Sequence, residues 1–356
     1  MILDLGRPPA ELALQLVDLP SVSGQEKALA DAVEAALAAL PHLTCLRDGD
    51  TVVARTELGR GRRVIVAGHL DTVPVAANLP GRLADGVLWG RGSVDMKGGL
   101  AAMLTAAARA KTPRSDVTWV FYDNEEVEAA KSGLGRVMRR HPEWVAGDFA
   151  ILCEPTEGRL EGGCNGTVRV VVTARGKAAH AARPWTGANA IHRLAPALDA
   201  LVRFEPAKIR VDGLDYREAL NAVGVEGGLA PNVIPDRASL TVNYRFAPDK
   251  SESEALRILK ALFSGYEVEV ADSAPAARPG LTSPDAERLA ELVAASGGGE
   301  PRGKQGWTDV ARLAAAGVPG VNLGPGDPSL AHQDDEACPA EQIDRVAGIL
   351  LDYLEG

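Results

Sequence analysis

Cysteine is scarce in this chain. The four cysteines, Cys45, Cys153, Cys164 and Cys338, are scattered among 356 residues with no CxxC pair. That excludes a disulfide framework and fits the reduced thiols of a cytosolic protein. No basic stretch offsets the net charge of -10, which argues against a nucleic-acid partner. An anionic small substrate stays open, since a local field can oppose the net charge. No apolar run is long enough to span a bilayer, and no basic-then-apolar leader opens the chain, so the expectation is a cytoplasmic protein without a membrane partner. Internal repeats and low-complexity tracts are missing too. What is present is ordinary globular composition, 46% hydrophobic and 24% charged, over a length that suits about two domains.

Strand and helix patterns alternate in the first part of the chain and again at its end. Ser23-Gly24-Gln25-Glu26 has the capping-box pattern, followed by Leu29, Val33, Leu37 and Leu40 at helical spacing. Strands are predicted at 51–54, 63–67, 117–122, 149–153 and 319–323, and helices at 98–110, 309–316 and 340–354. This alternation implies an α/β domain with a mainly parallel central sheet. The middle differs. A strand at 168–173, a helix at 189–202, strands at 221–226 and 239–246, a helix at 251–263 and a strand at 266–270 give the order β-α-β-β-α-β of a ferredoxin-like α+β sandwich. The Pro- and Ala-rich segment 271–280 reads as a return linker. The expected organisation is therefore an α/β domain of 1–166 and 281–356 with an inserted domain of 167–280.

The acidic run in VTWVFYDNEEVEAAKSG raises a physical question. Asp123, Glu125, Glu126 and Glu128 crowd the end of an apparently buried strand. Ionised carboxylates repel one another, and burying them is costly unless a cation is at hand. Other strands end in similar fashion: VIVAG runs into His69 and Asp71, FAILC into Glu154, and GVNLGPG toward His332. Asp95 lies in LWGRGSVDMKGG, just before a helix. Ligands bind at the carboxyl edge of open α/β sheets. Imidazole with carboxylate suits Zn²⁺, whereas an oxygen-only cage would suit Mg²⁺ or Ca²⁺. Two ions sharing one bridging ligand would offset the charges of Asp95, Glu125, Glu126 and Glu154, and paired ions about 3.5–4 Å apart are a usual hydrolytic arrangement. Taken singly, each residue has an ordinary reading: His69 a strand-end histidine, Asp71 a turn residue, Asp95 a helix cap, Glu154 a solvated acid, His332 a loop histidine. Their joint placement at one sheet edge favours the metal.

GHLDTVP, GRGSVDMKGG, the Glu125-Glu126 pair, CEPT and AHQDDE, in that order, resemble the di-zinc aminoacylase/carboxypeptidase family of metallopeptidases over nearly the whole chain. The resemblance implies a zinc-peptidase-like catalytic domain and an inserted dimerisation or lid domain. It implies two Zn²⁺ per subunit, for which Co²⁺ can substitute. His69, Asp95 and Glu154 would hold one ion, Asp95, Glu126 and His332 the other. Asp71 would accept the second ring N–H of His69, and Glu125 would be the general base. His180 would help to stabilise the oxyanion from the partner subunit of a homodimer.

Four further stretches, KAAHAARPWTGANAIH, PNVIPDRASLTVNYRFAPD, GWTDVARLAAAGVPGVNLGPGD and EEVEAAKSGLGR, resemble the branch that removes succinate from N-succinyl-LL-2,6-diaminopimelate in lysine and cell-wall precursor synthesis. Arg245, on the polar face of its strand, could clamp a substrate carboxylate. Asn232, Asn243 and Thr308 are further candidates for binding an anionic N-acyl amino acid. GWTD, which ends in Asp309, and Asn165 in GGCNGT depart from the pattern of many relatives and leave specificity open. A deacylase of the acetylornithine type, a dipeptidase, and a non-catalytic zinc-binding dimeric interaction protein remain as alternatives.

Overall fold

A computed structural model describes residues 2–356. The chain divides into two compact units. One comprises the chain up to Gly163 together with Pro279–Lys304 and Thr308–Gly356, the other Cys164–Arg278 with Gln305–Trp307.

The first unit is built on an eight-stranded mixed sheet. Its strands lie in the order Thr44–Asp48, Thr51–Arg55, Asp116–Tyr122, Arg63–His69, Phe149–Leu152, Gly320–Asn322, Glu161–Gly162 and Arg302–Gly303. The four central neighbours, from Asp116–Tyr122 to Gly320–Asn322, are mutually parallel. Asp116–Tyr122 is buried throughout and Arg63–His69 is buried after its first residue. This explains their unbroken apolar runs, since a parallel strand covered on both faces has no polar side to show.

The helix Lys97–Arg109 packs among the core residues, its Leu100, Met103 and Leu104 fully buried. Its approach to the sheet requires glycine: a Cβ at Gly99 would lie 2.1 Å from the carbonyl oxygen of Cys153. Helix and strand-end are thus held closer than any side chain would allow.

The second unit is a four-stranded antiparallel sheet in the order Ala219–Gly227, Arg237–Phe246, Gly166–Arg175, Glu267–Ala274. Numbered along the chain this is 2-3-1-4, the ferredoxin-like strand order. In Arg237–Phe246 the residues Ala238, Leu240, Val242, Tyr244 and Phe246 are buried and alternate with more exposed ones, the period-two pattern of a sheet with one covered face. A hairpin, Lys208–Val211 with Leu214–Arg217, adds to the expected elements.

Three local expectations are corrected. The Ser23–Glu26 pattern caps nothing: the helix Lys27–Ala38 has Glu26 at its N-cap with no side-chain cap bond. Ser23 Oγ instead donates to Asp71 Oδ2 at 2.8 Å, and Glu26 Oε1 accepts from Asn124 N at 3.1 Å. A complete capping box does form at Ser251 and Glu254. The expected single helix over 189–202 is two, Ala190–Arg193 and Ala195–Val202, because Pro196 lacks the N–H that would continue the ladder. Finally, the expected linker begins inside a strand that runs on to Ala274.

Candidate metal centre

Four parallel strands deliver side chains to one edge. Arg63–His69 ends in His69, Asp116–Tyr122 leads to Glu125 and Glu126, Phe149–Leu152 leads to Glu154, and Gly320–Asn322 precedes the loop that carries His332. Asp95 comes from the turn before the helix Lys97–Arg109. The structure brings most of these together. His69 Nε2 lies 2.9 Å from Asp95 Oδ1. His332 Nε2 lies 3.3 Å from Asp95 Oδ2 and 2.8 Å from Glu126 Oε1. Asp95 therefore stands between two imidazoles with one oxygen toward each. Donor atoms of His69, Asp95 and Glu126 all fall within 4.8 Å of one another.

The protonation pattern asks for a cation here. His69 Nδ1 lies 2.9 Å from the main-chain oxygen of Asp71, and a carbonyl only accepts, so that nitrogen carries the ring proton. In the neutral ring, Nε2 then turns a lone pair toward the Asp95 carboxylate. Two acceptors at hydrogen-bond distance need a proton or a metal ion between them. Without metal the proton goes there: the carboxylates of Asp71 and Asp95 overcome burial and hold the His69 imidazole well above its usual range.

Glu154 makes the same demand. It is buried, and its Oε1 has no hydrogen-bond partner. Burial chiefly, with the Asp95 and Glu126 charges adding, pushes its carboxyl up to about 8. Burial likewise raises Glu125 well above the carboxylate range and raises Glu126. An orphaned buried carboxylate oxygen that feels the charges of His69 and Asp95 fits a borderline dication better than solvent.

The expected role of Asp71 is revised in detail. Its carboxylate lies 3.5 Å from His69 Nδ1, farther than its own carbonyl. It accepts instead from Glu125 N at 2.9 Å and Glu126 N at 3.0 Å, besides Ser23 Oγ. One side chain thus fixes the backbone of both acids. Two contributors escaped the sequence. Ser23 looked like a helix cap. Lys304, almost fully buried, donates from Nζ to Pro155 O at 2.6 Å and so steadies the turn holding Glu154.

The substrate candidates lie as follows. Thr308 is buried and its hydroxyl donates to Asn322 Oδ1 at 2.8 Å. In the second unit His180 is exposed, with its Nδ1 accepting from Ala182 N at 3.0 Å. Its neighbour Ala181 donates from its main-chain nitrogen to Asn232 O at 2.9 Å, which places Asn232 next to it. Asn243 donates to Thr167 Oγ1 at 3.2 Å, and Arg245 lies two residues on along the same half-buried face. No helix among the described residues is long and apolar enough to cross a membrane.

The comparisons agree with this architecture. Residues 65–356 match the model of peptidase family M20/M25/M40. A Corynebacterium glutamicum succinyl-diaminopimelate desuccinylase is 46% identical, over 99% of this chain and 97% of its own. A Mycobacterium tuberculosis protein provisionally named succinyl-diaminopimelate desuccinylase DapE is 50% identical over the full length of both. Among solved structures, a Staphylococcus aureus tripeptidase superposes with a TM-score of 0.81 at 21% identity, covering 100% of this chain and 99% of its own. A family M20 metallo-carboxypeptidase from Sulfolobus solfataricus also reaches 0.81, at 16% identity and with 98% of each chain covered. The chain belongs to peptidase family M20/M25/M40.

Proposed function

We propose that this protein is a metal-dependent amide hydrolase that cleaves N-succinyl-LL-2,6-diaminopimelate to succinate and LL-2,6-diaminopimelate, a step in lysine and diaminopimelate biosynthesis. One arrangement carries the chemistry: the Asp95 carboxylate with one oxygen toward His69 and the other toward His332. The choice of substrate follows the names of the two full-length relatives at 46% and 50% identity.

His69, Asp95 and Glu154 are assigned to one ion and Asp95, Glu126 and His332 to the other, with zinc favoured by the mixed nitrogen and oxygen donors. When bound, such ions lower the pKa of water and polarise an amide carbonyl. Glu125 takes the proton of the attacking water and returns it to the leaving amine. Asp71 holds the main chain of Glu125 and so fixes where its carboxylate starts from. His180 keeps its proton on Nε2, because Nδ1 accepts from Ala182, and Nε2–H is then a donor suited to the oxyanion. We assign it to that task from the partner subunit of a homodimer. Arg245, with Asn232, Asn243 and Thr308, is assigned to the substrate's polar groups. The proposed setting is the cytoplasm.

The test is a metal analysis combined with steady-state kinetics on N-succinyl-diaminopimelate, N-acetylornithine and a dipeptide panel. Two zinc ions per chain and highest kcat/KM on the succinylated substrate are expected. Higher kcat/KM on acetylornithine or a dipeptide replaces the substrate assignment.

A further inference from the structure

Glu336 closes the AHQDDE stretch and has no part in the chemistry described so far. It is 1% exposed, a costly place for a carboxylate. All four of its acceptor positions are used. Oε1 accepts from Val94 N at 2.9 Å and Asp95 N at 3.1 Å, while Oε2 accepts from Gly92 N at 3.0 Å and from the Arg91 guanidinium at 3.0 Å. The reach is set by a short ladder. Ala337–Pro339 pairs antiparallel with Val87–Trp89, Ala337 opposite Trp89. Just beyond the ladder, Gly90 N donates to Glu336 O at 3.1 Å. The side chain therefore points along the turn that ends in Asp95.

Arg91, 3% exposed, extends the same contact in the other direction. Its guanidinium donates to Gln333 O at 3.0 Å and to Pro74 O at 3.1 Å. Gln333 follows His332 directly. One buried ion pair thus ties the turn carrying Asp95 to the loop carrying His332, two segments more than two hundred residues apart in sequence. His332 has a positive φ of 66° and an exposed side chain. Among the described residues its ring contacts run only to Glu126 and Asp95, so the Arg91–Gln333 bond holds its main chain from outside the cluster.

We propose that Glu336, with Arg91, is a positioning residue that registers Asp95 against His332 and thereby sets the affinity of the metal site those two share with Glu126. A buried ion pair that only held the fold together would affect stability without distinguishing one metal from the other. This inference rests on the metal-centre reading above.

The experiment follows zinc retention by the full-length protein against a graded chelator, together with kcat and KM on N-succinyl-diaminopimelate and thermal melts of the metal-free chains. Glu336→Gln presents an amide nitrogen to backbone N–H groups and loses acceptor capacity on that side. One of the two zinc ions is expected to leave at roughly 10–100-fold lower chelator strength, in the range of changes to groups that orient metal ligands. The other ion, which shares Asp95 but keeps His69 and Glu154, should leave later than the first, and kcat should fall more than KM rises. Arg91→Lys keeps the charge without the planar reach to both Glu336 and Gln333. It should shift the same ion by a smaller factor, and it serves as the test if Glu336→Gln does not fold. Glu218→Gln is the control, a buried carboxylate bonded to Tyr244, Ala247 and Lys250 in the other unit, and should leave zinc retention unchanged. Wild-type retention of both ions by a folded Glu336→Gln or Arg91→Lys variant overturns this inference alone. If the wild type holds fewer than two zinc ions, the inference and the metal-centre reading fall together.

Discussion

Asp71 Oδ1 accepts the main-chain N–H of Glu125 at 2.9 Å, and Oδ2 accepts that of Glu126 at 3.0 Å. An acid assigned to proton transfer and an acid assigned to metal are therefore set by one buried carboxylate. Although burial opposes it, the neighbouring His69 imidazole first, and then those two main-chain bonds, hold Asp71 below the usual carboxylate range. In Asp71→Asn, one carboxylate oxygen becomes an NH₂ group facing an N–H. The expected result is a fall in kcat of roughly 10–100-fold with zinc still bound, read by steady-state kinetics beside metal analysis. A variant with full kcat would remove Asp71 from the catalytic arrangement.

Glu125→Gln keeps the shape and the main-chain bond to Asp71 but cannot take a proton. General acid–base groups contribute typically ~10²–10⁴-fold, so kcat should drop within that range while zinc stoichiometry stays at the wild-type value. Loss of zinc along with activity would instead make Glu125 a ligand.

Much of this was legible beforehand because it is written in local patterns. The covered strand Asp116–Tyr122 shows as an unbroken apolar run, and Arg237–Phe246 shows as an alternation. Candidate ligands could be picked out because each follows a strand end or precedes a helix, which a linear reading can see. The misses share a different physical origin. Ser23 carries a capping pattern, yet its partner Asp71 is 48 residues away. Glu336 is one acid among three neighbours, and nothing in DDE says which one meets four donors across the fold. The His69 partner turned on which oxygen of Asp71, carbonyl or carboxylate, lies nearer, a matter of ångströms. Local pattern fixes elements, while hydrogen-bond partners depend on tertiary approach.

The tight approach of helix Lys97–Arg109 to Cys153 gives a stability prediction that also reports on the site. Gly99→Ala sets a Cβ against the Cys153 carbonyl, which is backbone and cannot swing away. Overpacking of this kind costs about 1–3 kcal/mol, to be read by denaturant unfolding. Because Cys153 precedes Glu154 and the helix follows Asp95, weaker zinc retention should accompany it. An unchanged midpoint would show that helix and strand-end separate without cost.

Removing the metal should reverse the pH dependence of stability. In the metal-free chain Glu154 titrates near 8 against an ordinary 4.5. Between those values the folded chain holds a proton that the unfolded chain has lost, so stability declines as pH rises. His332 is raised from 6.5 to about 10, first by its bonds to Asp95 and Glu126. Its contribution is complete below 6.5 and disappears as pH rises through 10, the same direction. Asp71 and Asp95 are held low. They lose stabilisation only in acid, below the ordinary carboxylate value, and so stay outside this window.

The buried Glu154 drives this loss, with Glu125 and Glu126 raised by burial in the same direction, and the half-exposed His332 adds less because solvent screens it. The metal-free protein should therefore melt at progressively lower temperature from pH 5 to pH 9. With zinc present, proton loss from the same groups favours binding, so the melting temperature should hold or rise over that interval. Scanning calorimetry of both forms across the range decides it. Parallel curves with and without zinc would mean that these carboxylates and imidazoles do not meet the ion.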